Sequence, residues 1–271
     1  MAEVIKNEKV PEVPGGLVGE DPSEKFRYLN ILLHGFGGLG KTTFIASACL
    51  DPRTSPILVC DMEGGASIRF AKMPKGSYTI RKIRRVKDLN DIYEYLRKGN
   101  HPYKSVAVDS LTEIQKLGLA EFVYGASGLD ESFLGSVINL KSAEIQHWGK
   151  SASQMGMMVR YFRDLPMHTF FTTLTVVHQD EITGKITFNL ALPGKQAAEI
   201  PGIPDIVGYL DVQKDPATKQ NKRVIFFQPD GKIIAKDRTD SLGAGMSLEK
   251  DEKSVTKMLD IIWKEYGISD D

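Results

Sequence analysis

Apolar residues along the first two thirds of the chain follow two alternating patterns. Continuous apolar runs, of the length of buried strands, cover residues 28–34, 57–61, 105–109 and 169–177. Helical patterns lie between them, beginning at Lys41 and covering residues 88–97 and 141–163. Strands and helices that alternate in this way predict an α/β fold, in which parallel strands are joined by helical crossovers.

The pattern changes after residue 180, where shorter strand patterns cover residues 186–191, 206–212, 224–227 and 233–235. Turn signals separate these strands, including Thr183-Gly184 and Pro229-Asp230-Gly231. Short strands joined by such turns predict an antiparallel extension of a mostly parallel central sheet.

The chain divides into three predicted segments. Residues 1–25 are polar and contain several prolines and glycines, which predicts a flexible N-terminal arm. The folded domain is expected over residues 26–246. Residues 247–271 predict an amphipathic C-terminal helix that ends at Gly267 as its C-cap. Its apolar face contains Leu248, Val255, Met258, Leu259, Ile262 and Tyr266.

Composition and charge narrow the class of protein. The 271 residues are 41% hydrophobic and 26% charged, which is typical of a globular domain. Because 35 basic residues balance 35 acidic ones, any surface that binds a polyanion must be local. Cys49 and Cys60 lie in apolar stretches, which indicates core positions in a reducing compartment. No run approaches the roughly 20 apolar residues that cross a bilayer, so we expect a cytoplasmic protein without a membrane partner.

Residues 35–42 read Gly-Phe-Gly-Gly-Leu-Gly-Lys-Thr and match the P-loop motif GxxxxGK[ST] at every fixed position. A predicted strand precedes the motif and a predicted helix follows it, as a P-loop requires. Lys41 is expected to reach the β- and γ-phosphates of ATP, and the Thr42 hydroxyl to bind Mg²⁺. The predicted nucleotide-binding residues are Gly35, Gly37, Gly38, Gly40, Lys41, Thr42 and Thr43.

A second magnesium contact is expected from Asp109, because an apolar strand ends at this carboxylate. Ser110 follows it, where many P-loop ATPases carry the catalytic glutamate. The group that orients the attacking water must therefore come from elsewhere. Glu63 is the candidate, since it follows the second strand at the sheet edge where ligands bind, and Glu113 is the rival base.

These residues together resemble the RecA-like recombinase core. In that core a P-loop precedes a strand ending in Asp-x-Glu and a strand ending in Asp-Ser, and Asp61, Glu63, Asp109 and Ser110 occur in that order. Residues 151–179 resemble its methionine-rich helix and following strand, which here ends at His178-Gln179. The resemblance implies a RecA-like fold and assigns Gln179 as the sensor of the γ-phosphate at the start of a DNA-binding loop.

Three later segments look most like phage-encoded RecA-like ATPases of the single-strand-annealing Sak type. They are Leu192-Pro193-Gly194-Lys195, residues 206–210 and Lys236-Asp237-Arg238. The resemblance implies that Lys236 and Arg238 reach the nucleotide of a neighbouring subunit. They follow a short strand that we expect near the far edge of the sheet, and the alternative interpretation is a pair of exposed charges at a strand end. It also implies a host cytoplasmic location if the chain is phage-encoded.

The nucleic-acid contacts that we expect are basic residues on loops. Lys150 and Lys185 are candidates for phosphate contacts. A denser basic run contains Arg81, Lys82, Arg84, Arg85 and Lys87, and its alternative interpretation is the solvated edge of a strand and loop. Trp148 could stack on a base, although a core position is more typical of an aromatic residue in a helix. The five histidines have no zinc-ligand spacing.

The predicted function is an ATP-dependent, single-stranded-DNA-binding ATPase that promotes annealing or homologous recombination as a filament or ring. Single-stranded DNA, further copies of the chain and a single-stranded-DNA-binding protein are the expected partners. One alternative is a nucleotide-gated annealing scaffold, or a mediator or helicase loader, with little turnover. Another is a small-molecule P-loop kinase, which would require a pocket for the phosphate acceptor.

Overall fold

A computed structural model describes residues 28–124, 144–215, 218–248 and 253–268. The arm expected over residues 1–25 lies outside the described residues. Ten strands within them form one sheet. The strands are β1 (Asn30–Gly35), β2 (Ile57–Asp61), β3 (Tyr78–Lys82), β4 (Ser105–Asp109), β5 (His168–Gln179), β6 (Ile186–Leu190), β7 (Ile206–Lys214), β8 (Asn221–Phe226), β9 (Lys236–Asp237) and β10 (Gly245–Leu248).

Helices connect most of these strands and cover both faces of the sheet. They are α1 (Lys41–Ser47), α2 (Ala66–Phe70), α3 (Val86–Arg97), α4 (Leu111–Tyr124), α5 (Ile145–Arg163), α6 (Gln196–Glu199) and α7 (Ser254–Tyr266). Gly267 ends α7 in the left-handed conformation, as its predicted role as C-cap requires. In the part of the chain that the structure describes, no helix is long and apolar enough to cross a membrane.

The sheet has the order β10-β8-β7-β1-β5-β4-β2-β3, with β6 paired to β5 and β9 paired to β7. The run from β7 to β3 is parallel, whereas β6, β8, β9 and β10 pair antiparallel. The prediction of an α/β fold with a mostly parallel sheet and an antiparallel extension is confirmed. The carboxyl ends of the parallel strands meet at one edge, where ligands bind in such sheets.

Two details of the extension differ from the prediction. Strand β7 was expected in the antiparallel part, but Ile206–Leu210 pairs parallel with β1. Its residues are buried up to Leu210, so this run has the continuous apolar pattern of an interior parallel strand. Leu248 was expected on the C-terminal helix, yet it ends β10, where it pairs with Arg223. The side chain of Leu248 still packs in the core layer that α7 covers. It was therefore counted with the apolar face of the helix.

The core has one layer on each face of the sheet. Ile31 and Leu33 of β1 point into the layer covered by α1, α2 and α7, and Leu32 points into the layer covered by α3, α4 and α5. This alternation follows from the period of two along a strand. Because both layers hold β1 in place, the loop that follows Gly35 begins from a fixed position.

Candidate active site

The P-loop joins β1 to α1 at the carboxyl edge of the sheet. A Cβ atom at Gly35 would lie 2.9 Å from the Leu210 carbonyl oxygen, so glycine lets β7 approach the start of the loop. Gly40 has a φ of 108° and forms the N-cap of α1, a conformation that L side chains rarely adopt. Thr42 and Thr43 lie in the first turn of α1. The strand, loop and helix therefore follow each other as the motif predicts.

Lys41 lies inside this loop and is only 7% exposed. Its Nζ donates hydrogen bonds to the carbonyl oxygens of Gly35 at 2.8 Å and Phe36 at 3.0 Å. Burial lowers the pKa of Lys41, while the negative charges of Glu63 and Asp109 act in the opposite direction. The ammonium group therefore lies where the P-loop, Glu63 and Asp109 meet.

Asp109 ends β4 and is 3% exposed. Its Oδ2 accepts a hydrogen bond from the Thr42 hydroxyl at 2.9 Å, and its Oδ1 accepts one from the Thr172 hydroxyl. Burial raises the pKa of Asp109; the bonds from Thr172 and Thr42 lower it, and the charges of Glu63 and Asp61 raise it further. A carboxylate beside a hydroxyl is a set of hard oxygen donors, which suits Mg²⁺.

Glu63 follows β2 and is exposed at the same edge. Asp61 holds the turn around it by accepting hydrogen bonds from the backbone N–H groups of Gly64 at 2.8 Å and Ala66 at 3.3 Å. The Ser110 hydroxyl donates to Glu63 Oε1 at 2.6 Å. Ser110, which replaces the glutamate of many P-loop ATPases, thus positions the carboxylate that comes from the next strand. One oxygen of Glu63 is fixed, and the other can accept a proton from water.

A cleft of about 550 Å³ opens beside Glu63. The rival base Glu113 also faces this cleft, but its Oε1 is bonded to Lys116 Nζ at 2.6 Å. The cleft is lined by Asp61, Met62, Glu63, Gly64, Lys82, Ile83, Arg84, Glu113, Lys116 and Leu117. Because Glu113 already has an ion-pair partner, the geometry favours Glu63 as the residue that orients water.

Gln179 lies well beyond the level of Gly35 on β5. Leu174 pairs with Gly35, and β5 then continues into an exposed hairpin with β6 that ends with Gln179 opposite Ile186. Five further residues at about 3.3 Å each place Gln179 roughly 17 Å along the strand from the level of Gly35. The β5 residue that bonds Asp109 is Thr172, which no motif in the sequence marks.

Lys236 and Arg238 lie elsewhere than at the far edge of the sheet, where they were expected. Strand β9 pairs with β7, which is the neighbour of β1. Lys236 Nζ donates to the Pro201 carbonyl oxygen at 2.7 Å, and Arg238 Nη2 to that of Gly202 at 2.7 Å. The edge assignment failed because β9 is too short to extend the sheet and instead covers the start of β7. A role toward a neighbouring subunit stays a prediction.

The residues predicted to contact nucleic acid are exposed. Lys150 lies on α5, Lys185 in the β5–β6 hairpin, and Arg81, Arg84 and Arg85 at the end of edge strand β3 and in the loop after it. Arg85 forms an ion pair with Asp88 at 3.6 Å. Trp148 is 37% exposed, so the preference for a core position was wrong. The exposed positions of Arg81, Arg84 and Arg85 agree both with nucleic-acid binding and with the solvated edge of a strand and loop.

The fold and the P-loop site together define a P-loop ATPase. Residues 27–239 match the protein-family model described as an AAA domain, and because this is most of the chain, the protein belongs to that family. A solved structure described as a prototypical ATPase from the type III secretion system of pathogenic bacteria is 15% identical, with a TM-score of 0.40. The match covers 68% of this chain and 52% of that one, so this chain spans about half of its length. Curated proteins give no match.

Proposed function

We propose that this ATPase binds single-stranded DNA and uses ATP to promote strand annealing or recombination, assembled as a filament or ring. The geometry of the P-loop site supports the use of ATP in this proposal. Lys41 and the loop amides bind the phosphates, and Glu63 takes the proton of the attacking water. Thr42 and Asp109 would hold Mg²⁺, which neutralises phosphate charge when it is bound.

The observation that carries the DNA proposal is a contact between the P-loop and the β5–β6 hairpin. Phe36 of the loop is 38% exposed and packs edge-to-face against Phe188 of β6, with ring centroids 6.2 Å apart. A change in the P-loop on nucleotide binding would therefore move the base of the hairpin.

The exposed surface of the hairpin suits a single strand. Val177 and Ile186 are exposed apolar side chains on one face of the hairpin, and Val176 is exposed on the other. Ile182 and Lys185 are exposed in the segment that connects the two strands. Apolar surface beside a cation favours unpaired bases together with their phosphates. Duplex DNA, with its bases stacked inside, would gain only the phosphate contact.

Transfer of the γ-phosphate to a small acceptor is the second candidate function, because the cleft beside Glu63 lies where an acceptor would have to bind. Lys82, Arg84 and Lys116 line it and could hold an anionic acceptor. Hydrolysis releases ADP and free phosphate in equal amounts, whereas phosphoryl transfer releases ADP alone. A measurement of both products therefore separates the two.

The test measures ATP turnover with and without single-stranded DNA. We expect DNA to stimulate the wild type and Glu63→Gln to bind ATP but turn over about 10²- to 10⁴-fold more slowly. Phe188→Ala should keep basal turnover and lose the stimulation, whereas Phe122→Ala, an exposed phenylalanine on α4, serves as the control and should keep both.

DNA binding itself is measured against salt concentration. Lys185→Glu should weaken binding and lower the salt slope by about 0.7 for each phosphate that the variant no longer neutralises. A wild type that neither binds single strands at low salt nor responds to them would refute the DNA proposal and leave the ATPase assignment standing. Binding of single strands with little or no turnover would favour the scaffold and mediator alternatives.

A further inference from the structure

Arg223 lies on β8 at the level of the P-loop. It pairs with Val212 of β7 and with Leu248 of β10. Since Leu210 pairs with Gly35, Val212 lies two residues beyond the end of β1. The side chain of Arg223 shares a face with Leu248, whose side chain belongs to the core layer beneath α1. The register therefore directs the guanidinium toward the loop rather than away from it.

The contact with the loop is direct. A Cβ atom built on Gly40 would lie 3.5 Å from Arg223 Nη1 and 3.7 Å from its Cδ. Gly40 immediately precedes Lys41, so the guanidinium lies beside the P-loop residue that comes before the motif lysine. Arg223 is half-buried against this glycine.

The Arg223 guanidinium is unpaired within the part of the chain that the structure describes. Over residues 28–124, 144–215, 218–248 and 253–268 it forms no hydrogen bond and no ion pair. Other arginines near the sheet behave differently, since Arg53 bonds Asp51 and Asp260, and Arg238 bonds the carbonyl of Gly202. Guanidinium donors form a rigid fork that matches phosphate oxygens. The Arg223 guanidinium is half-buried, has no acceptor among the described residues and lies beside a phosphate-binding loop. It is therefore positioned to bind the ligand of that loop.

We propose that Arg223 is a nucleotide-binding residue, supplied by the same chain, that contacts the diphosphate portion shared by ATP and ADP. The hydrolytic groups Glu63 and Asp109 come from the strands on the β5 side of β1, and Arg223 comes from β8 on the opposite side. Its contact is therefore made equally in the ground state and in the transition state, and it contributes to affinity rather than to the chemical step. The inference rests on the ATPase assignment and not on the proposed role in DNA annealing.

The experiment measures binding of a fluorescent ADP analogue and steady-state ATP turnover. Arg223→Ala should raise the Kd for ADP and the KM for ATP together, on the order of 10- to 100-fold, because a charge-assisted hydrogen bond is removed. The kcat should stay within about a factor of three, since uniform binding energy does not alter it. Arg223→Lys should recover part of the affinity, because it keeps the charge and loses the fork.

Lys222→Ala is the matched control. Lys222 is the preceding cation on β8, and its side chain points to the other face of the strand, so its removal should leave the Kd for ADP unchanged. Equal melting temperatures for the three variants establish that the fold is intact. An unchanged Kd in Arg223→Ala, or a fall in kcat at constant Kd, would overturn the inference. Failure of the wild type to bind ADP would instead refute the ATPase assignment itself, and Arg223 with it.

Discussion

A buried histidine beside the P-loop makes the stability of the protein depend on pH. His34 precedes Gly35 and is fully buried. Its Nε2 lies 2.6 Å from the Ile234 carbonyl oxygen, and its Nδ1 lies 2.9 Å from the Thr175 hydroxyl oxygen. Because a carbonyl can only accept, Nε2 carries a proton and donates it. In the neutral ring Nδ1 is then unprotonated and accepts from the Thr175 hydroxyl. Burial lowers the pKa of His34 to about 4, and the charge of Lys41 acts in the same direction.

The size of the effect follows from the shift. The pKa of His34 falls from 6.5 to about 4 on folding, so the unfolded chain takes up the proton first as the pH decreases. Stability is therefore lost from about pH 6.5 downward and levels off near pH 4. The full loss is about 3.4 kcal/mol at 1.36 kcal/mol per pKa unit, of which about 2 kcal/mol is lost by pH 5.

Urea unfolding of wild type and His34→Gln at pH 7.5 and pH 5 measures this term. The variant loses stability at pH 7.5 through packing, but it lacks the proton uptake. The free-energy difference between the two proteins should therefore shift by about 2 kcal/mol in favour of the variant at pH 5. His168, whose pKa burial also lowers to about 4, is present in both proteins and cancels.

His178→Gln, which replaces an exposed histidine of the hairpin, is the control and should follow the wild type. If His34→Gln and wild type lose stability in parallel between the two pH values, the neutral buried ring is refuted.

Two further substitutions test the site. Thr172→Val removes a hydrogen bond that stabilises the Asp109 carboxylate, so the pKa of Asp109 should rise further. The acidic limb of the pH profile of ATP turnover should therefore move to higher pH, and Thr172→Ser should restore it. An acidic limb that does not move in Thr172→Val would exclude this role. Gly35→Ala places a methyl group 2.9 Å from the Leu210 carbonyl, so thermal unfolding should show a loss of about 1–3 kcal/mol together with weaker ADP binding. Gly37→Ala, where the added carbon meets nothing within 4 Å, is the stability control, and equal losses in both variants would contradict the packing argument.

The local features of the site could be predicted because each lies in one stretch of chain. The P-loop is read from consecutive residues, and its strand and helix adjoin it directly. Asp109 and Glu63 were identified because each follows an apolar strand, and parallel strands bring their carboxyl ends together. The Ser110 to Glu63 hydrogen bond joins two such neighbouring ends.

The remaining features depend on strand register, which no single stretch of sequence carries. Gly35 pairs with both Leu174 and Leu210, and these pairings decide which residues lie level with the loop. Thr172 and Arg223 lie beside the site only through them, and Gln179 lies five residues beyond the level of Gly35 for the same reason. A buried hydroxyl needs a partner, but β5 buries four threonines, Thr169, Thr172, Thr173 and Thr175, so the sequence alone does not single out Thr172.

The position of β1 between two late strands also determines when the nucleotide site can form. The backbone N–H of Leu29 donates a hydrogen bond to His168, 139 positions later in the chain. That of Asn30 donates to Asp205, 175 positions later. A growing chain on the ribosome therefore exposes the finished P-loop motif long before either flanking strand has been synthesised. Such long-range pairing slows folding and leaves apolar strand edges open to aggregation in the interval. Nascent chains that stop before residue 206 would be unable to acquire nucleotide-dependent resistance to protease, however complete their motif.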